Sequence, residues 1–477
     1  MIPMRVKRAF KENTNPERRS LAEALREIVG TRHVLSEAPD LAVYEADANP
    51  FTEGKPWLIV LPGSENEAAR VLKTLYERGV KIVPRGAGTG LAGGAVADKG
   101  GVVVSLARMD QILEVSLLGR YVRVQPGVVN LRLQERLAGL GLFFPPDPSS
   151  QIACTLGGNA ATNAGGPHCF KYGVTANHVL GLTFLTPDGE RIELDDILED
   201  PFSPDLMSLV VGSEGTFGLI TGLKLRVVDT PPCVRTLLAG FNDTVQAMRA
   251  VEKVVASGLI PAAIEGIDRV VLGSLTRAMP HLGYPCQDAV EAVLLIEFDG
   301  FFLEALDTET ERALVILREA GATFIKEAKD PIEREKLWQG RKGATASLGV
   351  YGPYRYMMDV VVPRSRLADA IEGIQKAKEA VGVPIGTVYH AGDGNMHPNV
   401  LIDPAFPAQR KALTEATERI MRLCVELGGV IAGEHGIGYE KAPYMAWMYA
   451  PEELEAFRAI RRAFDPKLLM NPGKVIP

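Results

Sequence analysis

The chain has 477 residues, of which 46% are hydrophobic and 23% are charged, and its formal net charge is -7. This length predicts two or three domains, and the mildly acidic balance argues against a nucleic-acid partner. No apolar run approaches the roughly 20 residues that span a bilayer. The five cysteines include no C-x-x-C pair, so a disulfide framework, a zinc knuckle and an internal iron–sulfur cluster are not expected. The cytoplasm is the predicted compartment.

The N-terminal part of the chain predicts a helix followed by a β-α-β unit. Proline at the first helical position and glycine after the last turn delimit the first helix. Serine and glutamate three residues apart form a capping box for the second. We predict a helix from Pro16 to Gly30, a strand over Trp57–Leu61, a helix behind Ser64 and Glu67, and a strand over Val80–Val83.

A glycine-rich loop, Pro84–Gly94, follows directly and contains G-x-G-x-x-G at Gly88, Gly90 and Gly93. In a dinucleotide-binding Rossmann fold this fingerprint opens a helix. Here the next strand, Val102–Leu106, follows after a short glycine-rich connection that leaves no room for that helix. A Rossmann fold is therefore not expected, although the N–H groups of the loop can still converge on phosphate.

Two further loops of small residues lie between predicted strands. The second loop is Thr155–Gly166 and the third is Gly212–Gly218. Either alone is typical of an ordinary turn, but three such loops within about 130 residues are harder to explain as turns. The elements predicted around them are strands over Ile112–Val115, Tyr121–Val124, Leu182–Leu185, Arg191–Leu194 and Ile220–Val227, and a helix over Leu131–Leu140.

After Pro231-Pro232 the pattern changes to short strands alternating with long amphipathic helices, which is typical of an α+β domain. The predicted strands are Val234–Phe241, Ala292–Phe298 and Tyr356–Val362. The predicted helices are Thr244–Ala256, Glu304–Ala320, Ser365–Ala380, Pro407–Leu427 and Glu452–Phe464.

Three of the seven histidines fall in two short glycine-flanked segments. Two imidazoles and a carboxylate can form one face of a divalent metal site and leave positions open for substrate. The alternative, surface-loop histidines bonded to backbone groups, stays open on these residues alone. The residues concerned are His390, Asp393, Asn395, His397, Glu434 and His435.

The loops Pro84–Gly94, Thr155–Gly166 and Gly212–Thr221 resemble the flavin domain of the vanillyl-alcohol oxidase/p-cresol methylhydroxylase (PCMH) superfamily, in its FAD-binding oxidoreductase/transferase type 4 family. The segments HAGDGNMHPN (390–399), GEHGIG (433–438) and NPGK (471–474) resemble its D-2-hydroxyacid dehydrogenase branch, which includes the glycolate oxidase flavin subunit and D-lactate dehydrogenases. The resemblance implies an α+β fold with a PCMH-type, two-subdomain FAD-binding domain over 1–230. A ferredoxin-like α+β substrate cap is implied over 231–430, and a C-terminal segment over 431–477 returns to the FAD site.

The resemblance also implies how FAD is held. The first loop wraps the pyrophosphate, the second follows the ribityl chain and the flavin ring, and Asn471 and Lys474 close the site. In some relatives a histidine in the first loop links the flavin covalently, and this chain has Thr89 near that position. The spacing of Cys154 does not match the relatives that link flavin through a cysteine. Non-covalent FAD is therefore expected. The residues implied to bind it are Pro84, Arg85, Gly86, Ala87, Gly88, Thr89, Gly90, Gly93, Gly94, Pro148, Ser149, Thr155, Gly157, Gly158, Asn159, Thr162, Asn163, Gly165, Gly166, Gly215, Ile220, Glu434 and Asn471.

By the same resemblance, the chain oxidises a small D-2-hydroxyacid, glycolate or D-lactate, to the 2-oxoacid, with hydride passing to flavin N5. His390, His397 and Glu434 are implied to bind a zinc-like divalent metal, and His435 is implied to be the base. The residues implied to bind substrate are Arg341, Thr345, Arg355, Asn399 and His435, and the catalytic ones are His435, Arg341 and Thr345.

Three alternative functions stay open. A D-2-hydroxyglutarate dehydrogenase needs a second cation, which Arg355 or Lys342 could supply. A flavin-binding subunit of a multi-subunit glycolate oxidase would share the chemistry with a partner. A flavin-dependent alkyl transferase has the same fold, but the histidine motif argues against it.

Reoxidation of the flavin requires an external electron acceptor, because the chain has no cysteine-rich segment for a cluster. The expected acceptors are an iron–sulfur partner subunit, a quinone, an electron-transfer flavoprotein or oxygen. Further expectations are a homodimer and attachment to the membrane periphery through a partner subunit.

Overall fold

The computed structural model describes residues 16–195, 205–285, 289–352 and 354–477. The strands in these ranges are β1 (Val34–Leu35), β2 (Leu58–Val60), β3 (Ile82–Arg85), β4 (Val102–Ser105), β5 (Ile112–Ser116), β6 (Tyr121–Val124), β7 (Leu142–Phe143), β8 (Val179–Leu185), β9 (Arg191–Asp195), β10 (Leu219–Arg226), β11 (Val228–Asp229), β12 (Cys233–Phe241), β13 (Ala263–Asp268), β14 (Ala292–Gly300), β15 (Phe324–Glu327), β16 (Tyr354–Met357), β17 (Val360–Val361), β18 (Ile385–His390) and β19 (Asn395–Ile402).

The α-helices are α1 (Pro16–Val29), α2 (Ala38–Ala42), α3 (Glu65–Glu77), α4 (Asn130–Ala138), α5 (Leu156–Thr162), α6 (Cys169–Tyr172), α7 (Leu206–Val210), α8 (Thr244–Ala256), α9 (Arg269–Ala278), α10 (Leu303–Glu319), α11 (Pro331–Ser347), α12 (Leu367–Val381), α13 (Pro407–Glu426) and α14 (Pro451–Phe464). Within the described residues, no helix is both long enough and apolar enough to cross a bilayer.

The chain forms two compact units, and each is built from separate stretches of sequence. The split unit comprises Ile2–Gly165, Val174–Thr230 and Glu434–Pro477, of which the described part begins at residue 16. The insert unit comprises Gly166–Gly173 and Pro231–Gly433. From residue 16 onward the chain therefore passes between the two units four times.

The first sheet of the split unit has the strand order β1-β2-β4-β3. β2, β4 and β3 are parallel. Their sequences are mostly short apolar runs because both faces of the sheet are buried. Leu58 and Val60 join one core with α1 and α3, whereas Ile59 and Val103 join a second core on the opposite face. Ser64 caps α3 by accepting a hydrogen bond from Glu67 N at 3.2 Å, which confirms one half of the predicted capping box. The Glu67 carboxylate instead accepts from Gly63 N at 2.7 Å.

No helix lies between β3 and β4, although the two strands are parallel. The prediction that the glycine fingerprint does not open a Rossmann helix is thus confirmed. The glycine loop itself makes the parallel crossover that a helix usually makes.

The second sheet of the split unit is antiparallel, with the order β5-β6-β10-β8-β9. Its core is formed with α4 and α5 around Leu133, Ala160 and Phe184. The sequence predicted a continuous loop over Thr155–Gly166, and this was wrong, because Leu156–Thr162 is a helix. Thr155 caps it, and Asn163 ends it in the left-handed conformation at φ 50°.

The insert unit is built on one sheet with the order β15-β12-β14-β13-β18-β19-β16, in which β17 also pairs with β19. Helices α9 and α11 pack their apolar residues, among them Leu275 and Leu337, with Val388 of this sheet. The single strand predicted over Tyr356–Val362 was wrong, because it is interrupted between Met357 and Val360.

Candidate functional site

In the split unit the second and third glycine-rich segments are joined backbone to backbone. Gly212 N donates to Ala160 O at 2.9 Å, and Glu214 N donates to Ala161 O at 2.7 Å. The hydroxyl of Thr155 accepts from Gly158 N at 3.3 Å. The third loop is therefore fixed to the end of α5, and both segments present backbone and small side chains.

The Arg85 side chain, in the first loop, donates hydrogen bonds to nearby backbone carbonyls. The Arg85 guanidinium donates to Ala46 O at 2.9 Å and to Ala95 O at 3.2 Å, and the residue is only 8% exposed. These bonds leave backbone N–H groups, rather than the Arg85 side chain, as the chemistry that the loop can offer to a phosphate.

The C-terminal segment links the first loop to the third. The Asn471 amide donates to Gly94 O at 2.9 Å and to Glu214 O at 2.8 Å. Lys474 Nζ in turn donates to Asn471 Oδ1 at 3.0 Å and to Val96 O at 2.6 Å. Asn471 therefore bonds to both the first and the third loop, and Lys474 bonds to Asn471; that these two residues close the FAD site stays a prediction.

Glu214 also fixes the segment that follows His435. Its carboxylate accepts from Ile437 N at 2.7 Å and from Gly438 N at 3.0 Å. Burial raises the pKa of Glu214 to about 7, although both N–H groups and the lysine Lys441 act in the opposite direction. The third loop thus positions the backbone two residues beyond His435.

The other residues expected to bind FAD lie in varied surroundings. Pro148 is buried and Ser149 is exposed in one turn, and the Ile220 side chain packs in the core of the second sheet. Thr162 Oγ1 donates to Gly158 O at 3.1 Å. Gly166 belongs to the insert unit, and Glu434 is the first residue of the C-terminal stretch of the split unit.

In the insert unit, His390 and His397 lie in the paired strands β18 and β19. Each is only 4% exposed, and their rings meet edge to plane with centroids 5.1 Å apart. The alternative of two surface-loop histidines is therefore wrong. Two buried imidazoles this close are compatible with a shared metal ion.

A backbone or carboxylate oxygen faces Nδ1 of each histidine. His390 Nδ1 lies 2.8 Å and 2.9 Å from the two carboxylate oxygens of Glu265, and His397 Nδ1 lies 3.2 Å from Met358 O. Oxygen acceptors at Nδ1 favour the tautomer with the proton on Nδ1, in which Nε2 carries the lone pair that a metal ion would need. Metal-binding histidines are commonly oriented in this way.

Asp359 lies at the interruption between β16 and β17 and is fully buried. It accepts from the Asn395 amide at 2.7 Å and from Gly433 N at 2.8 Å. A Cβ on Gly433 would overlap with the Asn395 amide, so only glycine allows this approach. Asp359 thus fixes the last residue of the insert unit, directly before Glu434 in the chain.

Arg341 lies in α11 and is buried in an ion pair with Glu265. Burial would raise the pKa of Glu265, but Arg341 and then His390 outweigh it, and this pKa is below its usual value. The same guanidinium donates from Nη2 to Tyr389 O at 3.3 Å, and its Nε has no hydrogen-bond partner among the described residues.

The remaining predicted substrate residues also lie in the insert unit. Thr345 follows Arg341 by one helical turn and is half-buried. Asn399 is fully buried in β19 and donates to His397 O at 2.7 Å. Arg355 is exposed in β16, and the part of the chain that the structure describes offers it no ion-pair partner.

Glu265 and Asp359 were missed by sequence reasoning. The signal for Glu265 was a single acid inside the apolar stretch Ala262–Ile267, where a buried charge needs partners. Asp359 interrupted a run that otherwise suited a strand.

The sequence profile described as "FAD linked oxidases, C-terminal domain" matches residues 230–475, and the profile described as "FAD binding domain" matches residues 56–195. The chain belongs to the FAD-linked oxidase family. This FAD-linked oxidase is 41% identical to the glycolate oxidase subunit GlcD of Escherichia coli (strain K12), over 97% of the chain and 92% of the relative. It is 32% identical to a D-lactate dehydrogenase of Anaerostipes hadrus, over 89% of the chain and 90% of the relative.

The fold of the FAD-linked oxidase is that of solved PCMH-type proteins, which confirms the predicted class. p-Cresol methylhydroxylase with substrate bound has a TM-score of 0.79 at 16% identity, with 97% of each chain covered. Alkyldihydroxyacetonephosphate synthase has a TM-score of 0.73 at 20% identity, over 98% of this chain and 87% of that one. The chain is an FAD-dependent oxidoreductase.

Proposed function

We propose that this FAD-dependent oxidoreductase oxidises a small D-2-hydroxyacid, glycolate or D-lactate, to the 2-oxoacid. The observation that supports the proposal most strongly is the buried pair of His390 and His397, each with an oxygen at Nδ1. The relatives named glycolate oxidase subunit and D-lactate dehydrogenase support the substrate class. A buried imidazole with an oxygen at Nδ1 is the arrangement that metal-binding histidines commonly have, and here two such imidazoles lie side by side.

In this proposal, His390, His397 and Glu434 bind a divalent, zinc-like ion. Such an ion would lower the pKa of the substrate hydroxyl and fix its orientation. The nitrogen and carboxylate donors suit zinc and related ions. Asp359 is proposed to help position Glu434, because its carboxylate accepts a hydrogen bond from the N–H of Gly433, the preceding residue, at 2.8 Å.

His435 is proposed to accept the hydroxyl proton, since a neutral imidazole suits a general base near neutral pH. Bound FAD would take the C2 hydrogen together with two electrons at N5. The hydrogen bonds from Ile437 and Gly438 to Glu214 hold the chain just beyond His435, so the base is attached to an ordered backbone.

Arg341, Thr345 and Asn399 are proposed to bind the substrate carboxylate and orient the hydroxyacid. Arg341 uses Nη2 for Tyr389 O and for its ion pair with Glu265, and its Nε has no hydrogen-bond partner among the described residues, so Nε is the donor proposed to reach a substrate carboxylate. The exposed Arg355 has no ion-pair partner in the described ranges, which favours D-2-hydroxyglutarate as the second candidate substrate, because a dicarboxylate needs a second cation. The electron acceptor is proposed to be external, and the term "subunit" in the name of the Escherichia coli relative supports an assembly with other chains.

The test is anaerobic flavin bleaching of the purified holoenzyme by glycolate, D-lactate, L-lactate and D-2-hydroxyglutarate. We expect bleaching by glycolate or D-lactate and none by L-lactate. His435→Ala should keep FAD and slow the reductive half-reaction by about 10²- to 10⁴-fold. His281→Ala, at an exposed position of the insert unit, is the matched control and should react like wild type.

Three results would count against parts of the proposal. Bleaching by no hydroxyacid would refute the activity and favour a flavin-binding subunit whose partner performs the chemistry. Faster bleaching by D-2-hydroxyglutarate, lost in Arg355→Ala, would establish the second candidate. Full turnover of FAD-loaded His435→Ala would refute the role of the base.

A further inference from the structure

Glu265 is a fully buried carboxylate at the centre of a line of polar residues across the insert sheet. The strand register places Glu265 of β13 opposite His390 of β18, and His390 opposite Asn395 of β19. Residues in register on neighbouring strands lie on the same face of a sheet. Helix α11 packs on this face and brings Arg341 into an ion pair with the same carboxylate.

The contacts of Glu265 determine which nitrogen of His390 carries the proton. Both carboxylate oxygens lie within 2.9 Å of Nδ1, and an ionised carboxylate can only accept. Nδ1 of His390 must therefore donate. Arg341 Nη2 also lies 3.4 Å from this Nδ1, which is longer than either distance to Glu265. With Nδ1 protonated, both atoms of this contact are donors, so it is not a hydrogen bond.

We propose that Glu265 is a positioning residue for the metal-binding histidine: it holds the proton on Nδ1 of His390 and thereby presents the Nε2 lone pair to a divalent ion. The inference rests on the metal site of the proposed function. Arg341 compensates the charge of the buried carboxylate and fixes its rotamer, because a buried carboxylate without a cation is strongly unfavourable. Glu265 thus couples the proposed substrate arginine to the proposed metal ligand.

The chain offers a matched control in Glu297 of β14. Glu297 is 1% exposed, and its register partner on β13 is Ala263, two residues from Glu265. Its partners include neither predicted histidine ligand; they are Arg334 at 2.7 and 2.8 Å, Trp338 Nε1 at 2.7 Å, Thr236 Oγ1 at 2.6 Å and His168 Nε2 at 3.7 Å. Glu297→Gln therefore removes a buried charge of the same kind from the same face of the same sheet.

The experiment compares Zn²⁺ affinity in the FAD-loaded wild type, Glu265→Gln and Glu297→Gln, by competition with a chromogenic chelator. Loss of such an outer partner typically weakens metal binding by 10- to 100-fold. We expect a weakening of this size in Glu265→Gln, with unchanged FAD content, and wild-type affinity in Glu297→Gln. Glu265→Asp, which restores a carboxylate, should recover part of the loss.

A second measurement needs no substitution at Glu265. In wild type labelled with ¹⁵N-histidine, and with His390 assigned by comparison with His390→Asn, the metal-free His390 should be the Nδ1–H tautomer. An Nε2–H tautomer would overturn the inference even if Glu265→Gln did not fold. Equal Zn²⁺ affinity in wild type and Glu265→Gln would refute the role of Glu265 and leave the metal proposal intact, whereas a wild type that binds no Zn²⁺ would refute both.

Discussion

Gly215, in the third glycine-rich loop, is a position at which a single added methyl group should disturb the contact between the first and third glycine-rich loops. Its φ is +70°, and a Cβ there would lie 2.9 Å from Cγ of Pro84, the first residue of the first loop. A side chain in this left-handed region costs about 1 kcal/mol. Overpacking against the rigid proline ring costs about 1–3 kcal/mol more. Gly215→Ala should therefore cost about 2–4 kcal/mol in total.

If this cost falls on the FAD-bound arrangement, it weakens FAD binding by about 30- to 1,000-fold, since about 1.4 kcal/mol corresponds to a factor of ten. The assay is titration of FAD into the apoprotein, followed by flavin fluorescence, together with the Tm of each holoenzyme. Gly79→Ala is the control, because Gly79 has a φ of +66° and no atom within 4 Å of its Cβ. That variant should lose about 1 kcal/mol of stability and no FAD affinity.

The comparison separates backbone strain from the contact between the loops. Equal FAD affinity in Gly215→Ala, Gly79→Ala and wild type would refute the idea that the first and third loops must touch to hold the cofactor. A loss of affinity in both variants would show that strain alone, and not the contact with Pro84, is responsible.

Two further predictions concern Asp268 and Asn471. Burial raises the pKa of Asp268 to about 6, so the folded chain keeps a proton that the unfolded chain releases near pH 4, and stability is lost as the pH rises from about 4 to about 6. The stability of Asp268→Asn relative to wild type should therefore improve over this window, by up to about 3 kcal/mol; a difference in Tm that does not vary with pH would contradict this. Asn471→Ala removes three hydrogen bonds of about 1 kcal/mol each, so FAD titration should show roughly 100-fold weaker binding, and an unchanged Kd would mean that this link is dispensable.

Much of the fold could be predicted because its signals are local. Ser64 and Glu67 indicate the start of helix α3, and short apolar runs indicate the parallel strands. Helix α5 could not be predicted, because its seven residues include Gly157 and Gly158, which disfavour a helix. Its stability comes from distant residues, such as Gly212 N donating to Ala160 O.

The sequence pointed to the histidines of the candidate site but not to the buried acids that contact them. The histidine motif indicated a metal-binding chemistry, yet it contains no information on Glu265, which lies 125 residues before His390. The strand predicted over Tyr356–Val362 is likewise interrupted at Asp359, whose carboxylate accepts hydrogen bonds from Asn395 and Gly433. Supporting acids of this kind are determined by strand register and helix packing, which short motifs do not specify.

The bond between Asn471 and Gly94 joins residues 377 positions apart in the chain. A ribosome adding about 5–20 residues per second makes Asn471 roughly 20–75 s after Gly94. Within that interval the whole of Pro231–Gly433 is synthesised, so this part of the insert unit can fold while the first loop still lacks its C-terminal support. We expect a nascent chain stalled before Asn471 to bind FAD weakly, so that the cofactor is retained only late in synthesis.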